Sequence, residues 1–339
     1  RRLTESDLLA LFHPSPQVQA PRLRSAIKSL KLAHLEPTLA TNGFLVKANK
    51  VRQPFEDAFF ANAEQLEQPM AEFDISKLAR QIQYECIWPS GRGMDAHKYG
   101  LDHDGDYGHC VPLIGRVEQA VTSTELAPIF CTDNKANLID DVLSPFLSDS
   151  SLRLLRVSFK QVSFAYGIRE VLVNAVGRQL LRLARAGQFK SQPLVLFLDE
   201  AHQFIGKTIG EETARYRLDS FELIAKEGRK YCLTVCLATQ RPRDLGQGVI
   251  SQMGTLLVHR LTNPEDRDFV ERAAGDLDRN AASFIPTLAA GQAVLLGIDF
   301  PIPVTLQMHP PQNKPDSSGP NFQKAWSHAA KNAKQEATL

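Results

Sequence analysis

The sequence is poor in the features that mark secreted, membrane-bound or strongly polycationic chains. Five cysteines among 339 residues are an odd number with no close-paired spacing. That argues against a disulfide framework and for a reducing, cytoplasmic setting. The longest purely apolar runs are about five residues, far below the ~20 that a membrane-spanning helix needs. No secretory leader pattern opens the chain. The formal net charge is only +1, so contact with nucleic acid must come from local basic patches rather than bulk attraction. No stretch repeats at a fixed period. What remains is an ordinary globular composition, 43% apolar, in a chain long enough for one large domain or two medium ones.

The texture changes near residue 150. Before it the chain reads as helical: Thr4 is placed to cap a helix with Glu5 and Asp7 in its first turn, and Leu23, Ile27 and Leu30 share a helical face. Further helical patterns fall at 52–87 and 112–126, separated by a Gly-, Asp- and His-rich stretch, 88–111, that reads as a long loop. After residue 150, short apolar strands alternate with helices. Strands are expected at 152–159, 194–199, 231–238, 255–261, 292–298 and 302–308. Helices are expected at 165–186, with Ile168, Leu172, Val176, Leu180 and Leu183 on one face, at 211–227, with Leu218, Phe221 and Ala225 buried, and from Pro264, capped by Asn263. This alternation predicts an α/β fold with a parallel, doubly wound sheet. Beyond Pro310 the chain is a polar tail.

The stretch "LVLFLDEAHQFIGKT", Leu194–Thr208, holds two overlapping phosphate-handling patterns. "AHQFIGKT" fits a loose Walker A loop. Such a loop wraps phosphates with consecutive backbone N–H groups and favours small residues, whereas His202, Gln203, Phe204 and Ile205 are bulky. Asp199 and Glu200 would also stand beside the incoming anion. "LVLFLDE" fits a Walker B strand, expected to be buried on both faces, whose carboxyl end is where open α/β sheets bind ligands. Asp199 would hold magnesium through water, and Glu200 would orient and polarise the attacking water. The bland alternative is an acidic strand end that caps the next helix. A second strand ends in "LATQRP", which puts Gln240 beside the acidic pair if the two strands are neighbours. Arg229, in "AKEGRK", follows a helix-ending glycine. There it is either a helix C-terminal cation or, in a ring, an arginine finger for the neighbouring subunit.

Taken together, "LVLFLDEAHQFI", "AKEGRK", "LTVCLATQRPRDLGQGVISQMGT", "LLVHRLTNPEDRDFVERA" and "LAAGQAVLLG" resemble the HerA-like branch of the HerA/FtsK superfamily of hexameric ATPases. The resemblance covers about 150–308. It implies a RecA-like P-loop NTPase core with an inserted helical bundle. Residues 1–150 would be the bundle, 151–310 the core and 311–339 a polar C-terminal tail. It also implies ATP and Mg2+ as cofactors, Asp199 and Glu200 at the nucleotide, Gln240 as a sensor and Arg229 acting in trans. Further implications are a homo-hexamer translocating double-stranded DNA, and a nuclease or sirtuin-like effector in DNA processing or anti-phage defence.

The family's Walker A loop lies upstream of the helical insertion, and here only the imitation at 201–208 matches. With Arg1 as first residue, the expectation is a truncated chain, inactive alone, from an ATP-hydrolysing parent. The alternatives are a ring-forming scaffold that organises an effector without hydrolysis, and a kinase-like enzyme using Lys207 as its phosphate-loop lysine. Lys207, Arg215 and Arg217 are candidate DNA contacts facing a pore; the bland reading is a solvated loop and helix face. Cys86, His97, His103, His109 and Cys110 cluster in sequence, but their spacing matches no standard zinc pattern. The "DHDGD" stretch lacks the glycine and terminal glutamate of a calcium loop. Cys232 and Cys236 are expected to share one strand face.

Overall fold

The computed structural model describes residues 3–68, 71–130, 139–149, 151–160, 162–163, 167–205, 208–209, 216–273, 284–297, 300–313, 322 and 326. The chain divides into two compact units, Arg1–Met253 and Gly254–Leu339. The fold is mixed α/β, with small parallel and antiparallel sheets and many helical segments. No described helix is long and apolar enough to cross a membrane.

The first unit opens with α1 (Glu5–Phe12), α2 (Gln19–Leu35), α3 (Gln53–Ala61), α4 (Ala63–Glu67), α5 (Leu78–Glu85), α6 (Asp104–Thr122), α7 (Ala127–Phe130) and α8 (Ile139–Ser148). Thr4 caps α1 in a reciprocal box with Asp7, each side chain satisfying a backbone N–H of the other residue, which removes orphan donors at the helix start. Leu8, Phe12, Leu23, Ile27, Leu78, Ile82, Leu113 and Val117 form a continuous helical core. The expected loop 88–111 is shorter than its composition suggests, because α6 begins at Asp104. The His103 ring caps that helix by accepting from the Asp106 N–H at 2.9 Å, and Asp104 and Asp106 suit its N-terminal dipole.

Long-range ion pairs knit this region. Lys47 donates to Glu85 at 2.6 Å, both side chains buried. Arg178 of α9 (Ile168–Arg185) grips the buried Asp7 carboxylate with contacts of 2.6 and 2.7 Å. The buried face of α9 is only partly the expected one. Ile168 and Leu180 are buried as expected, Leu172, Val176 and Leu183 are partly exposed, and Val171, Asn174, Gly177, Leu181 and Ala184 are buried as well. Asn174 and Gly177 account for part of the difference. Asn174 Oδ1 accepts from the Ser220 N–H at 3.0 Å, and a Cβ on Gly177 would stand 2.6 Å from the Ser220 hydroxyl. The helix therefore turns its polar and small residues toward α10 (Ser220–Glu227).

Residues 152–159 form no strand; they are mostly exposed and pair with nothing among the described residues. Apolar alternation alone does not make a strand without a partner edge. The helix expected over 211–227 starts only at Ser220, and Tyr216–Arg217 is instead a short strand, β3, antiparallel to β2 (Thr208–Ile209). Residues 210–215 lie outside the described residues.

The parallel element expected of the sheet is present as one pair. β1 (Leu194–Leu198) runs parallel to β4 (Leu233–Leu237), with Leu194 opposite Leu233 and Leu198 opposite Leu237. The expectation that "LVLFL" is buried on both faces is not met: Val195 is 54% and Phe197 73% exposed. Alternate residues turn to opposite faces of a strand, and among the described residues only the face carrying the buried Leu233 and Val235 is covered. Cys232 lies before β4, in a left-handed conformation, so it does not share a strand face with Cys236. The link from α10 into β4 requires glycine at 228, where a Cβ would come within 2.4 Å of the Leu233 carbonyl oxygen.

The first unit ends with α11 (Gln247–Ile250). The second unit holds β5 (Leu256–Val258), α12 (Pro264–Ala273), β6 (Gln292–Gly297) and β7 (Phe300–Gln307). Asn263 accepts from the Glu265 N–H at 2.9 Å, capping α12 as its sequence position suggested. Its sheet, β5–β6–β7, is antiparallel throughout, against the expectation of a wholly parallel arrangement. Val258, Val270, Ile285, Leu288, Val294 and Leu296 form its core.

Candidate active site

The carboxyl ends of β1 and β4 converge on one polar cluster. Parallel pairing in this register puts both strand ends at the same edge, and the ladder continues one step beyond the strands. The Ala238 N–H donates to Leu198 O at 3.0 Å and the Ala201 N–H to Ala238 O at 2.9 Å. Between these bonds the chain must turn sharply, and Glu200 takes it in the left-handed region, φ 48° and ψ 46°. For a non-glycine residue that conformation costs about 1–2 kcal/mol. Such strain is characteristic of sites that aim one side chain.

The Glu200 carboxylate is aimed across the strand gap. Gln240 Nε2 donates to its Oε1 at 2.9 Å. Its Oε2 is buried and accepts no hydrogen bond, although His202 Nδ1 stands 3.3 Å away. That histidine nitrogen is instead 3.0 Å from the Thr239 hydroxyl oxygen, which also accepts from the Arg241 N–H at 3.0 Å. A buried carboxylate oxygen without a donor is uncommon and marks a polar group held against its own hydrogen-bonding preference. Asp199, exposed beside it, accepts from the Glu200 N–H at 3.0 Å and keeps its remaining lone pairs free of any other recorded bond among the described residues. Magnesium is commonly held by one or two carboxylates with phosphate and water completing the shell. The hard oxygen donors here fit that ion.

Strand adjacency thus brings Gln240 to Glu200, with Asp199 beside Glu200 in the chain and His202 between Glu200 and Thr239. Thr239 is a member that the sequence reading did not single out. Its signal was its place between the strand end and Gln240. Arg229 is not in the cluster. It lies exposed in a turn of 3-10 helix, Gly228–Tyr231, before β4 begins. It is therefore at the opposite end of the strand from Gln240, and five strand residues span roughly 16 Å. Lys207 and Arg215 lie outside the described residues, and Arg217 is placed only as backbone in β3.

The loose Walker A pattern has the wrong local structure. Ala201–Gln203 is a 3-10 turn, and Thr208 starts a strand rather than a helix. A phosphate loop needs its Lys-Ser/Thr at a helix N-terminus, where N–H groups face the anion. The zinc cluster also fails: among the described residues no three His, Cys, Asp or Glu side chains are placed to hold a metal. Cys86 and Cys110 are buried in the helical core. Hydrogen bonding with Cys110, and then burial, holds the Cys86 thiol well above its ordinary range.

Open α/β sheets bind their ligands outside the carboxyl ends of the strands, where this cluster lies. Residues 177–330 match the family described as "Helicase HerA-like C-terminal", and the chain contains a HerA/FtsK-superfamily-like ATPase domain. It is 32% identical to the DNA double-strand break repair helicase HerA of Pyrococcus furiosus, over 34% of this chain and 20% of that one. It is 29% identical to a probable HerA of Methanocaldococcus jannaschii, over 45% of this chain and 30% of the relative. The matched stretches therefore span a third or less of these relatives' lengths. Among solved structures, the bacterial conjugative coupling protein TrwBdeltaN70 overlays with a TM-score of 0.45 at 13% identity, covering 92% of this chain and 69% of that one.

Proposed function

We propose that this chain supplies the hydrolytic edge of an ATP-driven ring motor acting on double-stranded DNA. The observation that carries the reading is the Glu200 carboxylate, strained into place, bonded to Gln240 and left with a buried, unsatisfied oxygen. Glu200, whose side chain is partly exposed at the strand end, orients and polarises the attacking water. Asp199 holds Mg2+, through water. Gln240 senses the state of the site by exchanging its bond to Glu200 for one to the γ-phosphate or water. Magnesium–ATP, when bound, supplies the transferable phosphoryl group and neutralises its developing charge. Arg229, at the far end of β4, is too distant to serve its own site. An exposed cation there suits a role in trans, reaching a neighbour's nucleotide in a homo-hexamer.

The names of the relatives, double-strand break repair helicases, support DNA as the substrate. The finer parts of the reading are a nuclease or sirtuin-like effector, anti-phage defence and a cytoplasmic ring, and they rest on the family resemblance alone. The test is ATP turnover by the full-length protein with and without linear duplex DNA. DNA-stimulated turnover supports the motor. A ring that assembles on an effector without hydrolysing ATP supports the scaffold instead.

A further inference from the structure

The helical region holds a half-open cavity of about 540 Å³, walled by α1, α2, α4 and α9 and rimmed by charged side chains. Four cations line it: Arg24, Lys28 and Lys31 of α2, and Arg178 of α9. The three on α2 are spaced by four and three residues, so they form one stripe on one helical face. Like charges so placed repel one another, and the wall offers only Glu5 and Glu67 against them. Glu5 is occupied by Arg24 at 3.0 Å, and Arg178 by Asp7 behind the wall. Lys28 touches the Phe59 ring and has no carboxylate partner among the described residues.

Lys31 is the unusual member. It is 7% exposed, yet its ammonium group has no carboxylate within ion-pair distance among the described residues. Two of its three donors go to the carbonyls of Leu66 and Gln68, each at 3.1 Å, at the end of α4. Lys31 also lines the cavity. Burial pulls its pKa below the ordinary value, only partly opposed by Glu5. A buried cation held by carbonyls alone is costly, and an anion in the cavity would relieve it. Ser6 and Ser25 also line the cavity, and their hydroxyls have no other partner among the described residues.

We propose that this cavity binds a chain of linked phosphates, with Arg24, Lys28 and Lys31 engaging successive phosphate groups and Ser6 and Ser25 donating to their oxygens. The cationic stripe runs seven residues along α2, roughly 10 Å, which is longer than one phosphate and matched to several in a row. The volume lies within the range usual for small-ligand sites, about 300–1,000 Å³. The source of the phosphates is either a free polyphosphate group, as in a nucleotide tail, or a DNA backbone.

The test is calorimetric titration of the full chain with inorganic pyrophosphate in EDTA, which removes divalent metal from the strand-end site. Saturable binding is expected, weakened about tenfold or more by Lys28→Gln and by Arg24→Gln, with Glu67→Gln binding as tightly or more tightly. Both cation variants alter exposed residues, so an unchanged melting temperature separates lost binding from lost folding. A short DNA duplex as competitor identifies the source. Displacement of pyrophosphate, with Lys28→Gln weakening both ligands, assigns the site to backbone phosphate. Binding of pyrophosphate without displacement assigns it to a small ligand. Absence of saturable binding, sulfate bound as tightly as pyrophosphate, or affinity unchanged in both cation variants would overturn the proposal.

Discussion

Gln240 Nε2 donates to Glu200 Oε1 at 2.9 Å, joining the ends of two parallel strands that are forty positions apart in sequence. This bond fixes one carboxylate oxygen and leaves the other buried and open. If Gln240 holds Glu200 in its working position, Gln240→Ala should lower ATP turnover of the full-length protein by about 10²–10³-fold, the range for losing one preorganised donor. Nucleotide affinity should change little. Steady-state turnover with a parallel binding titration separates the two, and equal losses in both would assign Gln240 to ground-state binding.

Arg229 lies at the other end of β4 from Gln240, so the proposed finger role requires it to act across a subunit boundary. Arg229→Ala should cut turnover by about a thousandfold, as for other arginine fingers. Mixing it with Glu200→Gln subunits should restore part of the activity, because some interfaces then carry an intact Arg229 facing an intact Glu200. Failure to complement, in rings shown to mix, would make Arg229 a helix-end cation only.

The pair of Asp7 and Arg178 ties α1 to α9, and Asp7 is almost fully enclosed, its side chain 1% exposed. Arg178→Met would leave that carboxylate with its capping-box bonds alone. Breaking a buried pair from one side typically costs about 3–5 kcal/mol. Because the arginine is one-third exposed, the lower part of that range is expected, read from urea denaturation. A change within error would show that water compensates Asp7 fully.

Lys31 gives a pH signature. Its pKa is lowered in the folded state by burial, so in the alkaline range below 10.5 the unfolded chain binds more protons than the folded one. Stability therefore rises with pH through that window. In anion-free buffer, the melting temperature of the wild type relative to Lys31→Met should climb from pH 8 toward pH 10. A flat difference would mean that the Leu66 and Gln68 carbonyls solvate the charge as well as water does.

The strand-end cluster was legible because its logic is local. An apolar run ending in Asp-Glu, and a second ending in a polar residue, become one site as soon as the strands pair in parallel. Thr239 was not, because its partner, His202, is reached only through the left-handed turn at Glu200, and a non-glycine residue gives no compositional hint of that turn. The antiparallel order of β5, β6 and β7 was also hidden, since an apolar run carries no sign of its direction. The start of α6 was masked by glycine and aspartate, which read as loop until His103 is seen to cap it. Residues 152–159 show the reverse error, a strand-like pattern that finds no edge to pair with among the described residues. The cationic stripe at Arg24, Lys28 and Lys31 was passed over in favour of the apolar face beside it, and only the fold sets it along a cavity.

The account turns on Glu200 as the residue that polarises the attacking water. The most direct measurement is single-turnover ATP hydrolysis by the full-length Glu200→Gln protein, beside a nucleotide-binding titration of the same sample. The substitution keeps the shape and removes the negative charge. ATP should remain bound with near wild-type affinity while hydrolysis falls by a hundredfold or more, an order set by the loss of one catalytic group. Hydrolysis at the wild-type rate, with nucleotide bound, would contradict the assignment.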